Sequence, residues 1–260
     1  MNFRGALTVN KRWIALVFFF LPVNASAEPK TNDIEVAVGW SKPPYVNSAD
    51  NSGFELDLAR HVFAKMGYTF KPIYVPYGRS LSMLKNQKVQ AVLTVSDTAD
   101  VSGISLSDVY IEYQNVAVTL QARDIKLHQP KDLQQYVISA YQTASKNLGQ
   151  EFALAAQKAP LYVELPDQQK QVAMLLNGNV SVVIMDINIF AHLQALIEPS
   201  NQLTPVTVHN LFAPNHYRVG FLNEELRNRF NQALLEVQES AALEELVQKY
   251  SMYRDDTLLN

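Results

Sequence analysis

Residues 53–94 read GFELDLARHVFAKMGYTFKPIYVPYGRSLSMLKNQKVQAVLT. Phe54, Leu58, Val62, Phe63 and Met66 recur at three- and four-residue steps, which puts one apolar stripe on a helix that Gly67 can close with a left-handed cap. Thr69 to Val75 then supplies β-branched and aromatic residues, and Leu81 with Leu84 marks a short second helix face. Gln90 to Val95 is a compact apolar run of the kind buried inside parallel sheets. Helix, strand, helix and buried strand in this order predict an α/β unit.

Toward the N-terminus the chain reads as an export signal. Arg4, Lys11 and Arg12 form a basic region, Trp13 to Leu21 is uninterruptedly apolar, and Ala25-Ser26-Ala27 is a small-residue cleavage site. The apolar core is too short to span a bilayer. An uncleaved anchor is the competing reading, opposed by Pro22 and the cleavage site that follow at once. Residues 1–27 are therefore expected to be removed, leaving Glu28 as the new terminus.

Removal takes away three basic residues and no acidic ones, moving the formal charge from −3 to −6. No basic stripe suits the chain to nucleic acid, and no later segment has the length to span a membrane. Cysteine is absent, which excludes disulfides, thiolate metal sites and a cysteine nucleophile.

From Ile34 onward strands alternate with helices, as in parallel sheets wrapped by helices. The later pattern predicts strands at Tyr136 to Ala140, Leu161 to Leu165 and Val180 to Met185, and helices at Ala144 to Gln157, Gln168 to Asn177 and Ile187 to Ile197. Asn223 to Tyr250 is an amphipathic helical stretch broken near Glu239-Ser240. No linker rich in Gly, Ser or Pro separates two halves, so crossing strands are expected to join them.

The ordered set PPYV, GFELDLA, VPYGRSLSML, the small-residue strand and SLSDVYIEYQNVAVTL resembles extracellular solute-binding protein family 3. DLQQYVISAYQTAS, LNGNVSVVIMD and YRVGFLNEELRNRFNQALLEV continue the match over nearly the whole chain after the export signal. The resemblance implies a two-lobe type II periplasmic binding protein fold, each lobe a mostly parallel sheet flanked by helices, joined by two hinge strands. It puts lobe one at 28–119 plus 210–260 and lobe two at 120–209. It also implies a periplasmic monomer that captures a small polar solute, amino-acid-like or amine-bearing, for the membrane permease of an ABC-type transporter. The alternatives are a ligand-sensing module for a membrane signalling partner, and a periplasmic dehydratase on the same fold. No cofactor, metal or nucleic acid is expected.

Trp40, Tyr45 and Tyr77 follow strands or turns where sheet C-termini open onto a crevice, the usual ligand site of open α/β sheets. The family has aromatics at the places matching Tyr45 and Tyr77. Thr94 and Ser96 end the apolar strand, in a segment with which the family hydrogen-bonds its ligand; plain turn chemistry is the alternative. Gln142 and Thr143 precede a helix, where their donors would either meet an anion or merely cap the helix. Asp186 ends the apolar strand VSVVIM and matches the family's acid for the amino group of bound amino acids, with a helix cap as the competing role.

One departure stands out. The amino-acid binders of the family carry an Arg shortly after the small-residue strand to grip the ligand carboxylate. Here the stretch reads SDTADVSGIS, with Asp97 and Asp100 and no Arg. Arg79, two residues after Tyr77, is the candidate replacement. Enzyme motifs are lacking: there is no GxSxG or HExxH, and His61, His128, His192, His209 and His216 show no metal-ligand spacing. Glu55, Asp57, Asp186 and Lys146 are the acids and base a dehydratase would draw on.

Overall fold

In order along the chain come β1 (Asp33–Val38), α1 (Phe54–Lys65), β2 (Thr69–Tyr74), α2 (Ser80–Lys85), β3 (Ala91–Ser96), β4 (Ser105–Tyr113) and β5 (Asn115–Leu120). Then follow β6 (Val137–Tyr141), α3 (Ala144–Asn147), α4 (Gln150–Lys158), β7 (Leu161–Leu165), α5 (Gln168–Leu176), β8 (Val182–Asp186) and α6 (Ile187–Ile197). The last are β9 (Val206–His209), β10 (Asn215–Phe221), α7 (Glu224–Gln238) and α8 (Ala241–Tyr250). The computed structural model describes Met1 and residues 32–76, 78–96, 99–199 and 202–253. The expected signal peptide and its cleavage site, Tyr77 and Asp97 lie outside the described residues.

The strands form two five-stranded sheets, ordered β2-β1-β3-β10-β4 and β7-β6-β8-β5-β9. Three neighbours in each are parallel, and the other two strands run alternately antiparallel. Parallel neighbours require helical crossovers, and the periodic segments supply them. Gly67 ends α1 as its sequence position predicts, at φ 81, with Tyr68 N–H donating to the Phe63 carbonyl at 2.9 Å. The expected helix at Ala144 to Gln157 is instead two, because the chain turns at Gly149 with φ 90.

The chain passes from the first sheet to the second between Tyr113 and Asn115, and returns between His209 and Asn215. Residues 115–119, which the sequence reading placed in lobe one, thus pair within the second sheet. The run SLSDVYIEYQNVAVTL holds no Gly or Pro to betray the change of sheet, although the polar pair Gln114-Asn115 stands at it. Gln114 marks it: its Nε2 reaches Asn210 Oδ1 at 3.0 Å and the Phe212 carbonyl at 2.9 Å, tying the two crossings together.

A large core lies under the first sheet, where Phe63 packs at 5.3 Å from Phe230, itself 5.4 Å from Phe221. Each such ring contributes about 1.5 to 3 kcal/mol by leaving water. The second sheet is covered on one side by Phe152 and Ile138 and on the other by Val183 and Phe190. Ile189 of α6 packs into the core of the first sheet, so the lobes touch through apolar contacts as well as through the crossings.

Candidate functional site

Gly53 opens α1 at φ 128, and a Cβ there would stand 2.3 Å from the Tyr45 carbonyl oxygen. That close approach lets Phe54 N–H donate to the Pro44 carbonyl and Glu55 N–H to the Tyr45 carbonyl at 2.9 and 3.0 Å. The loop from Ser41 to Tyr45 is thereby held against the first turn of the helix, with Glu55 beneath it.

Glu55 is fully buried and ionic. Tyr110 OH donates to Oε1 and Tyr113 OH to Oε2, each at 2.6 Å, and Thr94 Oγ1 also donates to Oε1. Lys42 Nζ stands 3.6 Å from Oε2. Burial works to raise the Glu55 pKa, but the Lys42 charge and the three hydroxyls outweigh it and hold the carboxyl below its ordinary range. Burial followed by the Glu55 charge pushes the Tyr110 phenol well up, and the same two causes act on Tyr113.

Two strand irregularities aim these groups. Residues three apart on a strand normally face opposite ways. Against β10, Tyr217 pairs with Ile111 and Arg218 with Val109, so Tyr110 is an extra residue, and both Tyr110 and Tyr113 reach Glu55. On β3, Val92 and Val95 pair with Gly220 and Arg218, leaving another extra residue where Thr94 adopts φ 56. A β-branched residue resists that conformation. It is supported here by Thr94 N–H donating to Tyr110 oxygen at 3.0 Å and by the hydroxyl on Glu55.

Tyr45 carries the network to the second lobe. Its ring stacks on Tyr113 with centroids 4.0 Å apart, and its hydroxyl reaches the Asp186 carboxylate at 3.0 and 3.1 Å. Asn188 Nδ2 donates to the same hydroxyl at 3.0 Å, while Asn188 Oδ1 accepts from Tyr253 N–H at 2.6 Å. Asp186 Oδ1 caps α6, accepting from Asn188 N–H and Ile189 N–H at 2.9 and 3.0 Å. Burial dominates its titration and pushes the carboxyl up to about 6 against these hydrogen bonds.

The residues singled out from sequence are thus distributed unevenly. Tyr45 and Asp186 meet, but each is buried, so Tyr45 cannot act as an open sandwich platform and Asp186 serves as helix cap and interlobe acceptor. Thr94 joins Glu55, and Ser96 is half-buried opposite Tyr217 at the end of β3. Arg79 is exposed at the start of α2, Trp40 is exposed, and Gln142 and Thr143 are exposed after β6. The helix start expected to meet an anion is occupied from within. Glu164 of β7 accepts from Thr143 N–H at 2.8 Å, from Ser145 N–H at 2.9 Å and from Tyr162 OH at 2.7 Å. These donors hold the Glu164 carboxyl down at about 2 despite the opposing effect of burial. Asp57 bonds Tyr250 OH at 2.6 Å and Lys249 Nζ at 2.7 Å, a structural tie between α1 and α8.

Sequence reasoning did not single out Lys42, Tyr110, Tyr113, Tyr141, Tyr217 or Asn188. Lys42 had one signal, its place in the WSKPPYV turn beside the cleft. Tyr217 packs edge-on to Tyr113 at 5.0 Å, and Tyr141 at the end of β6 lies close enough for Tyr217 to add to the effect of burial in raising its pKa. The first sheet and the second therefore present tyrosines to each other, with Tyr113 next in the row. Of two further concavities, one of about 430 Å³ is lined by β4, α1 and α8 and one of about 910 Å³ by α6 and α8; both include Asn188 and Tyr253, and the first also includes Tyr110. No group of side chains among the described residues has the makings of a metal site.

An ancestral cationic amino acid solute binding protein shares the architecture with a TM-score of 0.69 at 16% identity, over 84% of this chain and 95% of that one. The GluR0 ligand-binding core from Nostoc punctiforme, in complex with L-glutamate, gives 0.61 at 21% identity, over 84% and 98%. An ancestral arginine-binding protein bound to arginine gives 0.62 at 19%, over 84% and 98%. At these identities the likeness establishes the type II periplasmic binding protein fold. No curated protein matches the chain. The family model for bacterial extracellular solute-binding proteins, family 3, matches residues 34–253, and the chain belongs to that family.

Proposed function

We propose that the chain captures a small polar solute of amino-acid size between its lobes in the periplasm and passes it, as a monomer, to the permease of an ABC-type transporter. The observation that carries this reading is the polar network that spans the lobes, Lys42–Glu55–Tyr113 on one side and Asp186–Asn188 on the other, joined through Tyr45. Groups divided in this way favour one arrangement of the lobes, and a solute bridging them shifts the equilibrium by its differential affinity for that arrangement. Amino-acid-like and amine-bearing solutes are the first class to screen, since structures of the same fold hold arginine or L-glutamate. A thermal-shift screen of amino acids, polyamines, small organic acids and sugars tests the reading. A solute at a hundredfold excess over its dissociation constant stabilises by about 2.7 kcal/mol. A mature chain left unshifted by every class is not a solute receptor.

A further inference from the structure

We propose that Lys42 is the residue that selects the ligand, receiving the carboxylate of a small organic acid that needs no ammonium partner; this rests on the solute-binding reading above. The Lys42 ammonium lies 4.5 Å from the Tyr113 ring centroid and 3.6 Å from Glu55 Oε2. The longer of the usual N–H···O bonds is about 3.2 Å, so this is an ion pair without a hydrogen bond. Glu55 is meanwhile satisfied by three hydroxyl donors. The ammonium is thus held in place by charge and by the ring face, while its three N–H groups make no hydrogen bond among the described residues. With 26% of its side chain exposed, Lys42 can offer those donors to a bound anion.

The other recognition groups point the same way. An ammonium-bearing ligand would need an acceptor, but Asp186 already accepts from Tyr45 OH and from the amides of Asn188 and Ile189. The amides of Thr143 and Ser145 already face Glu164, so the second lobe offers no anion site there. Arg79, the other cation considered for the carboxylate, has neither a carboxylate nor an aromatic ring to fix it among the described residues and stands exposed. Beside Lys42 lies the Tyr113 ring, with the Tyr217 ring edge-on to it at 5.0 Å. A carboxylate on a short apolar or aromatic body matches the ammonium and the ring beside it, whereas a dication would meet the like charge of Lys42.

Isothermal titration calorimetry with two skeletons tests the assignment. The probes are L-phenylalanine, 3-phenyllactate and 3-phenyllactamide, and L-leucine, 2-hydroxyisocaproate and its amide. The wild-type chain is expected to bind a hydroxy acid at least as tightly as the matching amino acid, and to lose at least tenfold on the amide. Lys42→Gln is expected to weaken hydroxy-acid binding by roughly 25-fold or more, the effect of truncating one side of a desolvated charged pair. Lys42→Arg, which keeps the charge beside Glu55, should retain most of it and controls for folding. Equal binding of acid by wild type and Lys42→Gln overturns the assignment, as does affinity that follows the ammonium, or a loss carried by Arg79→Gln instead. Binding only of polyamines or sugars overturns it too, while leaving the solute-binding reading intact. If no solute of any class binds, both fall.

Discussion

Tyr45 and Asp186, 141 positions apart, are joined by a hydrogen bond of 3.0 Å from the phenol to the carboxylate, and both residues are buried. The contact links the loop after β1 to the last residue of β8, so it crosses from one lobe to the other. Its donor stacks on Tyr113, which in turn donates to Glu55. A change in the charge of either carboxylate is therefore felt at the interface between the lobes, through no more than two tyrosines.

Asp186→Asn should change the pH dependence of stability. The Asp186 carboxyl titrates near 6 in the folded chain against an ordinary value of 3.8. Between these values the unfolded chain has released the proton and the folded one retains it, so the stability this group supports below pH 3.8 is lost as pH rises through 6. The difference amounts to about 3 kcal/mol at 1.36 kcal/mol per pKa unit. Asparagine still caps a helix and carries no charge to bury. Urea unfolding at pH 4 and pH 8 should show the variant gaining on the wild type by roughly that amount. A constant difference would mean that Asp186 is ionised as easily in the folded chain as in the unfolded one.

Glu55→Gln should act with the opposite sign. The ionised carboxylate is favoured in the folded chain, so its contribution is present above the ordinary carboxyl pKa and fades as pH falls below it. Replacing it strands a partly exposed Lys42 and upsets three hydroxyl donors, at a cost of about 2 to 4 kcal/mol near neutral pH. Denaturant midpoints measured from pH 7 down to pH 3 check this. A loss that stays the same down to pH 3 would show that shape rather than charge is what Glu55 supplies.

The architecture was legible because periodicity carries it: the α1 stripe, the apolar strands and the breaks at Gly67 and near Ser240 all correspond to elements. The site was legible only where it depends on local pattern. Asp186 at the end of VSVVIM announces both a cap and a buried acid, and it is both. Tyr110 and Tyr113 were hidden because their spacing of three puts them on opposite strand faces unless a bulge intervenes, and nothing local signals the bulge. The occupation of the α3 start by Glu164 was equally hidden, since it depends on the register of β6 with β7. The change of sheet at Gln114 has only the polar pair Gln114-Asn115 as a local mark, with no Gly or Pro beside it.

Gly53→Ala should be among the most damaging small changes in the first lobe. It adds one methyl group at φ 128, where side chains are strained, and drives it to 2.3 Å from a backbone oxygen that cannot swing aside. Strain of about 1 to 3 kcal/mol adds to a similar cost for overpacking. Thermal unfolding should register a combined loss of about 2 to 6 kcal/mol. Near-wild-type stability would show that the loop around Tyr45 can move away from α1 without cost.

Glu28 is expected at the N-terminus of the exported chain, because the small residues Ala25-Ser26-Ala27 follow an apolar core too short to remain as an anchor. Intact-mass measurement on periplasmic material decides the matter; recovery of chain beginning at Met1 would contradict cleavage.

Tyr45→Phe isolates the interlobe bond from the packing around it. The ring and its stack on Tyr113 are kept, while Asp186 loses a donor and Asn188 Nδ2 loses its acceptor, both in buried surroundings. Leaving such groups unpaired costs about 1 to 3 kcal/mol each, and relaxation of the lobes offers a way to recover part of it by admitting water. Two observations should therefore change together: stability to urea falls by about 1 to 3 kcal/mol, and small-angle scattering without added solute shows a larger radius of gyration than the wild type. A stability loss with unchanged dimensions would place the bond inside a rigid core, with no part in holding the lobes together. Unchanged stability and dimensions would show that water replaces the phenol at no cost, and that the apolar contact of Ile189 with the first core is what keeps the lobes in place.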